Sequence, residues 1–186
     1  NLVAVQERAA WTAESWSQQD NPQALRAAFG DFCGEVQDML ASVETVNLWG
    51  LFRHPVARVW HCDGVAILGD AAHPTLPFMA QGACMALEDA WVLAASVDHA
   101  GNLAKGLARY QGLRETRTRR VVAAASGNAW KYHLAFPPLR WAAHTALRAG
   151  ARLAPDRMVR QFDWIYGYDA VRAAAAQISR STQTGT

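Results

Sequence analysis

Residues 69–90 read GDAAHPTLPFMAQGACMALEDA, and the way this stretch folds decides how the rest of the chain is read. A short apolar run, Val65-Ala66-Ile67-Leu68, precedes it, bounded upstream by the turn pair Asp63-Gly64. A loop punctuated by Pro74 and Pro77 follows, then an Ala-rich helical pattern that opens near Gln81-Gly82 and runs to about Val97. Strand, loop and helix in that order predict an α/β arrangement. Asp70 is then expected at the carboxyl end of a strand, with the free N–H groups of a helix start aimed into the space beyond it.

The residue types suggest what could occupy that space. A carboxylate only accepts hydrogen bonds, so Asp70 suits a ligand rich in hydroxyls, such as a ribityl or ribose chain. A helix N-terminus carries roughly half an elementary positive charge. It favours a phosphate, or an electron-rich ring that becomes negative on reduction. Gly82 and Ala83 have almost no side chain, so a flat group can approach the backbone amides, while Pro77 and Phe78 add apolar bulk that excludes water. Polyol, anion and apolar wall together fit a flavin better than a simple nucleotide. A bare Gly-Asp pair is often only a turn in which Asp caps a helix, but the longer string argues for more.

That string, GDAAHP followed by Pro77, Gln81-Gly82-Ala83 and Glu88-Asp89-Ala90, resembles the second flavin-binding motif of the FAD-dependent aromatic hydroxylases, the group A flavoprotein monooxygenases. Within them it is most similar to the salicylate hydroxylase branch. The likeness extends over about residues 1 to 170. Asn1-Leu2-Val3-Ala4-Val5, Trp11 and Glu14-Ser15-Trp16 resemble the last strand of the substrate domain and its exit. Trp49-Gly50-Leu51-Phe52-Arg53 with Pro55 and Trp60 resembles the return into the flavin domain, and Trp164-Ile165-Tyr166-Gly167-Tyr168-Asp169 a C-terminal signature.

The resemblance implies the C-terminal part of a p-hydroxybenzoate hydroxylase-like FAD-binding fold. Residues 1–58 would end a substrate-binding domain, 59–100 would carry the Gly69-Asp70 motif of the FAD-binding domain, and 101–178 would form a helical C-terminal region. By position, Gly69 and Asp70 would lie at FAD, with Asp70 on the ribityl hydroxyls. The backbone of Gly82, Ala83 and Cys84 would face the pyrimidine edge of the ring, and Pro77 would lie near its reactive face. Phe78 and Met79 would border the substrate pocket. Two residues depart from the pattern: many relatives have glycine in place of Met79 and a small or amide residue in place of Cys84. The implied activity is reduction of FAD by NADH or NADPH, reaction with O2, and transfer of one oxygen atom to a small aromatic substrate. It assigns no catalytic acid or base here and leaves a homodimer open.

The GxGxxG turn that holds the FAD pyrophosphate in such enzymes is absent, since none of the 13 glycines falls two positions from another. With a first residue other than methionine, this suggests the C-terminal portion of a larger protein that requires an N-terminal half. A different flavoenzyme on the same fold (a reductase or an epoxidase) and an inactive fragment acting only in assembly are the competing readings. A net charge of +2 gives no reason to expect nucleic acid or a membrane surface as partner. No run approaches the roughly eighteen apolar residues that span a bilayer. Cys33, Cys62 and Cys84 are scattered and odd in number, which suits a reducing cytoplasm more than a disulfide framework.

Elsewhere the periodicity predicts helices. Asn21-Pro22 is a cap and first-turn pair for one amphipathic helix of about 19 residues through Leu25, Phe29, Phe32, Val36 and Leu40. Val43–Trp49 and Val56–Trp60 read as extended. Ala90, Trp91 and Ala94 are expected on the packed face of the helix after Gly82. A long helix from Leu103 to about Ser126 should present Leu107, Tyr110, Leu113, Arg117 and Val121. Pro137-Pro138 should interrupt the chain before helices at about 139–152 and 169–178, and residues 179–186 read as a disordered tail.

Several residues invite functional readings that the patterns do not support. Lys105, Arg109, Arg114, Arg117, Arg119 and Arg120 could bind phosphates, but a solvated face or pairing with acids fits a charge run better. His61-Cys62-Asp63 lacks the second ligand pair that a zinc site needs. His73 is expected to fix the loop by hydrogen bonding and not to transfer protons with Asp70. Glu88 and Asp89 point about 100° apart on a helix and read as structural partners, not as a catalytic pair.

Overall fold

A computed structural model of the chain describes residues 2–7, 15 and 17–183, and the chain divides into two compact units, residues 1–52 and 53–186. In the first unit β1 (Gln19–Asp20) pairs antiparallel with β2 (Val46–Asn47) and closes a loop that holds α1 (Pro22–Ala28) and α2 (Gly34–Ala41). Asn21 caps α1 as expected, its side chain accepting from the Gln23 N–H at 2.9 Å. The single long helix expected after it is instead two. Gly30 and Asp31 are weak helix formers, so α1 ends at Phe29 and α2 starts after Cys33. The break lets Arg26 donate to the carbonyls of Leu40, Ala41 and Val43 near the end of α2, groups that a helix leaves unpaired. Only the two residues of β2 in the Val43–Trp49 segment are strand. Residues 2–7 have no regular structure, because among the described residues no strand lies against them. Trp11, Glu14 and Trp16 lie outside the described residues.

The second unit starts without regular structure through the supposed extended segment Val56–Trp60. It then forms a hairpin of β3 (His61–Cys62) and β4 (Val65–Ala66). Asp63 and Gly64 turn it with φ of 48° and 81°, the paired positive values that a two-residue hairpin turn requires. The run from Val65 to Leu68 is therefore not a strand of a parallel sheet: only its first two residues pair, and they pair antiparallel. Past them the Ile67 N–H donates to the Trp60 carbonyl at 2.9 Å, and the Ile67 carbonyl accepts from the Tyr110 hydroxyl.

The remainder is helical: α3 (Gly82–Asp98), α4 (Leu103–Tyr132), α5 (Pro137–Leu153), α6 (Pro155–Arg160), α7 (Asp163–Tyr166) and α8 (Ala170–Gln183). Pro137 and Pro138 open α5 from its first turn, where a proline lacks nothing the helix needs. α8 continues five residues into the segment expected to be disordered, through Gln183.

Helices α3 and α4 pack along one seam. Met85, Asp89, Val92 and Ser96 are buried on α3, and Leu107, Tyr110, Arg114, Thr118 and Val121 on α4. These positions recur at three and four residues, the spacing of one helix face. The face expected for α3 was different: Ala90, Trp91 and Ala94 are exposed. Hydrophobicity misplaced it because two of the four buried positions on α3 are polar. On α4, Leu107, Tyr110 and Val121 are buried as expected, whereas Leu113 and Arg117 are half-buried beside the seam.

Val56, Trp60, Ala72, Val92, Tyr110, Ala174 and Ile178 form the larger core, and Met79, Ala125 and Ile165 a smaller one. The expected boundary after residue 58 falls inside the larger core, and the one at residue 101 falls between two helices that pack directly. The Trp60 indole donates to the Ala57 carbonyl, and the Gln111 side chain bonds the Trp60 N–H and the Arg58 carbonyl.

Gly106 marks a close approach of the two helices, since a Cβ there would lie 2.8 Å from Val97 Cα. Gly106→Val should lower stability by about 1–3 kcal/mol, measured as a reduced denaturant midpoint with an unchanged slope.

Candidate functional site

The backbone after Leu68 tightens at once into a short 3-10 turn, Gly69–Ala71. Gly69 has φ of 59°, and a Cβ on it would stand 3.2 Å from Ala86 Cβ on α3, so both conformation and space call for glycine. Its carbonyl accepts from the N–H groups of Ala72 and His73. Asp70 sits exposed at the tip of the turn. A second 3-10 turn, Pro77–Met79, ends at Ala80, which adopts a left-handed conformation with φ of 51°. The chain then enters α3, where Gln81 at the N-cap makes no side-chain capping bond.

This geometry brings Asp70 and the start of α3 together. A Cβ on Gly82 would lie 3.7 Å from Thr75 Cγ2 and 3.8 Å from Asp70 Oδ1. Those are ordinary contacts, so nothing in the chain itself demands glycine there. What the missing side chain leaves is a space between a carboxylate and uncapped helix amides, with Ala83 and Cys84 exposed beside it. A carboxylate accepts hydrogen bonds from hydroxyls, and uncapped helix amides favour negative charge.

Pro77 is exposed and Phe78 half-buried, its ring edge-on to His133 at 6.0 Å. Met79 faces the other way and is buried against Ala125 and Ile165. Asn128 Nδ2 donates to its sulfur at 2.7 Å, and the Tyr166 hydroxyl donates to its carbonyl. Met79 therefore anchors the loop from behind. A flexible thioether fills such an inner gap well.

Behind the turn lies a buried polar network. Asp89 Oδ2 accepts from the Gly69 N–H at 3.0 Å and pairs with His73 Nε2 at 2.5 Å, while Oδ1 accepts from Arg114 Nε at 2.7 Å. His73, Asp89 and Arg114 are each at most 1% exposed. Burial pushes the Asp89 carboxyl up, but the hydrogen bonds from His73, Arg114 and Gly69, with the Arg114 charge, outweigh it and hold the group below the usual aspartate range. Burial, with the Asp89 charge, pushes the Tyr110 hydroxyl well above its ordinary value.

Arg114 Nη1 also stands 2.7 Å from Glu88 Oε2, in ion-pair contact but without hydrogen-bond geometry. Arg117 holds Glu88 with two bonds of 2.7 Å and donates to the carbonyls of Trp164 and Ile165. Its guanidinium lies 3.6 Å from the centre of the Tyr168 ring, and Arg120 stacks similarly on Trp164. The aromatic signature at 164–169 is thus seated on α4 by two arginines.

The expected roles of His73 and of the Glu88-Asp89 pair as structural partners agree with these contacts. The partners of Glu88 and Asp89 went unassigned in the sequence. Their signal was Arg114 and Arg117, three residues apart within the basic stretch and so on one side of α4.

Residues 3–125 match the FAD binding domain family, and the chain belongs to it. The fold is that of the flavoprotein hydroxylases, as expected. The structure superposes on a salicylate hydroxylase substrate complex with a TM-score of 0.70 at 23% identity, over 92% of this chain and 42% of that one. HpxO of Klebsiella pneumoniae, solved with FAD and uric acid, is similar at a TM-score of 0.61 and 32% identity, over 71% of this chain and 35% of that one. In sequence, 3-amino-4-hydroxybenzoate 2-monooxygenase PtmB3 of Streptomyces platensis is 33% identical over 86% of this chain. The chain spans 39% of the length of that relative. Among the described residues no helix is long and apolar enough to cross a membrane.

Two outcomes follow from the network. Arg114→Met, which strands the buried Asp89, should cost about 3–5 kcal/mol of stability in denaturant unfolding. Asp89 has a lower pKa folded than unfolded, so its contribution is complete above about pH 4 and is lost as pH falls through the folded value. Asp89→Asn should accordingly flatten the acid side of the stability–pH curve below about pH 4.

Proposed function

We propose that the chain forms part of an FAD-dependent monooxygenase that hydroxylates a small aromatic substrate with NADH or NADPH and O2. The observation that carries this reading is Asp70 standing across the Gly82 gap from an uncapped helix start, in a chain of the FAD-binding family. The names of its relatives support the reaction class: PtmB3 is a monooxygenase of an aminohydroxybenzoate.

In this reading Asp70 accepts hydrogen bonds from the ribityl hydroxyls and sets the cofactor's position along the turn. The amides of Gly82, Ala83 and Cys84 face the pyrimidine edge of the ring, where the helix start favours negative charge. These contacts use backbone atoms, so cysteine at position 84 does not impair them. Pro77 and Phe78 wall the ring on its apolar side and keep water from it. Gly69 serves the turn, and Met79 serves the loop from within. FAD, once bound, would accept two electrons from a pyridine nucleotide and, so reduced, would activate oxygen.

In the complete flavoprotein, Asp70→Ala should weaken FAD binding by about 10- to 100-fold, the value of a hydrogen bond to a charged acceptor. Titration by flavin fluorescence quenching measures it, and an unchanged Kd rejects the role. Turnover with labelled O2 should place one labelled oxygen atom in the aromatic product and the other in water. A product without label points to a reductase instead.

A further inference from the structure

Asp70 and Gly82 lie on separate segments, a 3-10 turn and a helix start, and neither bonds the other directly in the hydrogen-bond pattern of the fold. What joins them is the Asp89 carboxylate, two turns into α3. Through Oδ2 it holds the Gly69 N–H, one residue before Asp70, and the His73 ring, three residues after it. Both ends of the turn are therefore tied to a single oxygen on the helix whose first residue is Gly82.

Each tie is the decisive one for its residue. His73 Nδ1 is buried without a hydrogen-bond partner, so among the described residues the bond to Asp89 is the one that orients the ring. The ring is otherwise bounded by Trp60, 5.2 Å away. Gly69 sits tightly against Ala86, one turn earlier on α3, where a Cβ would stand 3.2 Å from the Ala86 Cβ. Oδ1 of the same carboxylate is taken by Arg114 from α4, which leaves Oδ2 to the turn alone. Such an arrangement fixes where a flexible exposed carboxylate begins, and a site loosened by about 1 Å loses much of its function.

We infer that Asp89 and His73 are positioning residues for the flavin, clamping the Asp70 turn onto the start of α3 so that the polyol-binding carboxylate and the ring-facing amides keep one fixed separation. This rests on the reading of Asp70 and Gly82 as the flavin site. Neither clamp residue touches the cofactor. Asp89 lies beneath the turn and His73 is buried, whereas Asp70 is exposed.

The test compares Asp70→Ala, Asp89→Asn, His73→Leu and His73→Gln in the complete flavoprotein. FAD affinity is read by fluorescence quenching well below each variant's unfolding midpoint, and the visible circular dichroism of bound flavin is recorded alongside. His73→Leu keeps the Asp89–Arg114 pair, so it decides the matter if Asp89→Asn does not fold.

The expected result is a loss of affinity of about tenfold or more for folded Asp89→Asn and His73→Leu, with an altered flavin dichroism. His73→Gln retains an N–H donor for Asp89 and should recover most of both. If Asp70→Ala weakens FAD while folded His73→Leu binds it with wild-type affinity and spectrum, the clamp is overturned and the site stands. If Asp70→Ala leaves affinity unchanged, the site reading falls, and the clamp with it.

Discussion

One buried carboxylate organises the second unit. Taking Asp89 out of water is costly, and the structure offsets that cost only by surrounding the group with three donors, two of them side chains also removed from solvent. The arrangement is cooperative. Arg114 is buried on Asp89 and Glu88, and among the described residues the His73 ring and the Gly69 N–H have no hydrogen-bond partner besides Asp89. A core built this way is specific about geometry: apolar side chains can slide past each other, while a carboxylate with three fixed donors tolerates little displacement.

That specificity matters because the exposed face in front of it is made of small or flexible groups. Gly82, Ala83 and the tip of the Asp70 turn have little bulk with which to hold themselves in place. Their order comes from behind, from α3 and α4. Glu88, Arg117, Tyr168 and Trp164 extend the same logic outward and bind the C-terminal aromatic segment to the pair of helices. The site and the stability of the unit thus draw on adjacent residues of one helix turn.

How much of this could be read in the sequence depended on the kind of signal. The start of α3 at Gln81-Gly82, the cap at Asn21, the Asp63-Gly64 turn and the proximity of Asp70 to Gly82 were legible, because glycine, proline and capping residues act locally. The family resemblance carried the fold. The packed face of α3 was not legible: a hydrophobicity pattern looks for apolar residues, and here Asp89 and Ser96 occupy buried positions while Trp91 is outside. The break between α1 and α2 was hidden for the opposite reason, since apolar residues kept helical spacing across Gly30-Asp31. The strand expected at 65–68 shrank to two residues because strands are defined by partners, and the described residues supply only a hairpin. Met79 shows the same limit on a smaller scale, as its direction is set by Asn128 and Tyr166, far away in sequence.

Helix α4 is continuous over 30 residues, about 45 Å, and it grips the site segment twice. Arg114 holds Asp89 beneath the Asp70 turn, and Asn128 holds Met79 at the base of the Pro77–Phe78 wall. The two grips lie about four helical turns apart and so on nearly the same side. The rod works as a ruler between the Asp70 turn and the Pro77–Met79 turn. Adding or deleting one residue between those two marks would swing one grip by about 100° relative to the other, and the two turns would change their spacing without any change to their own residues.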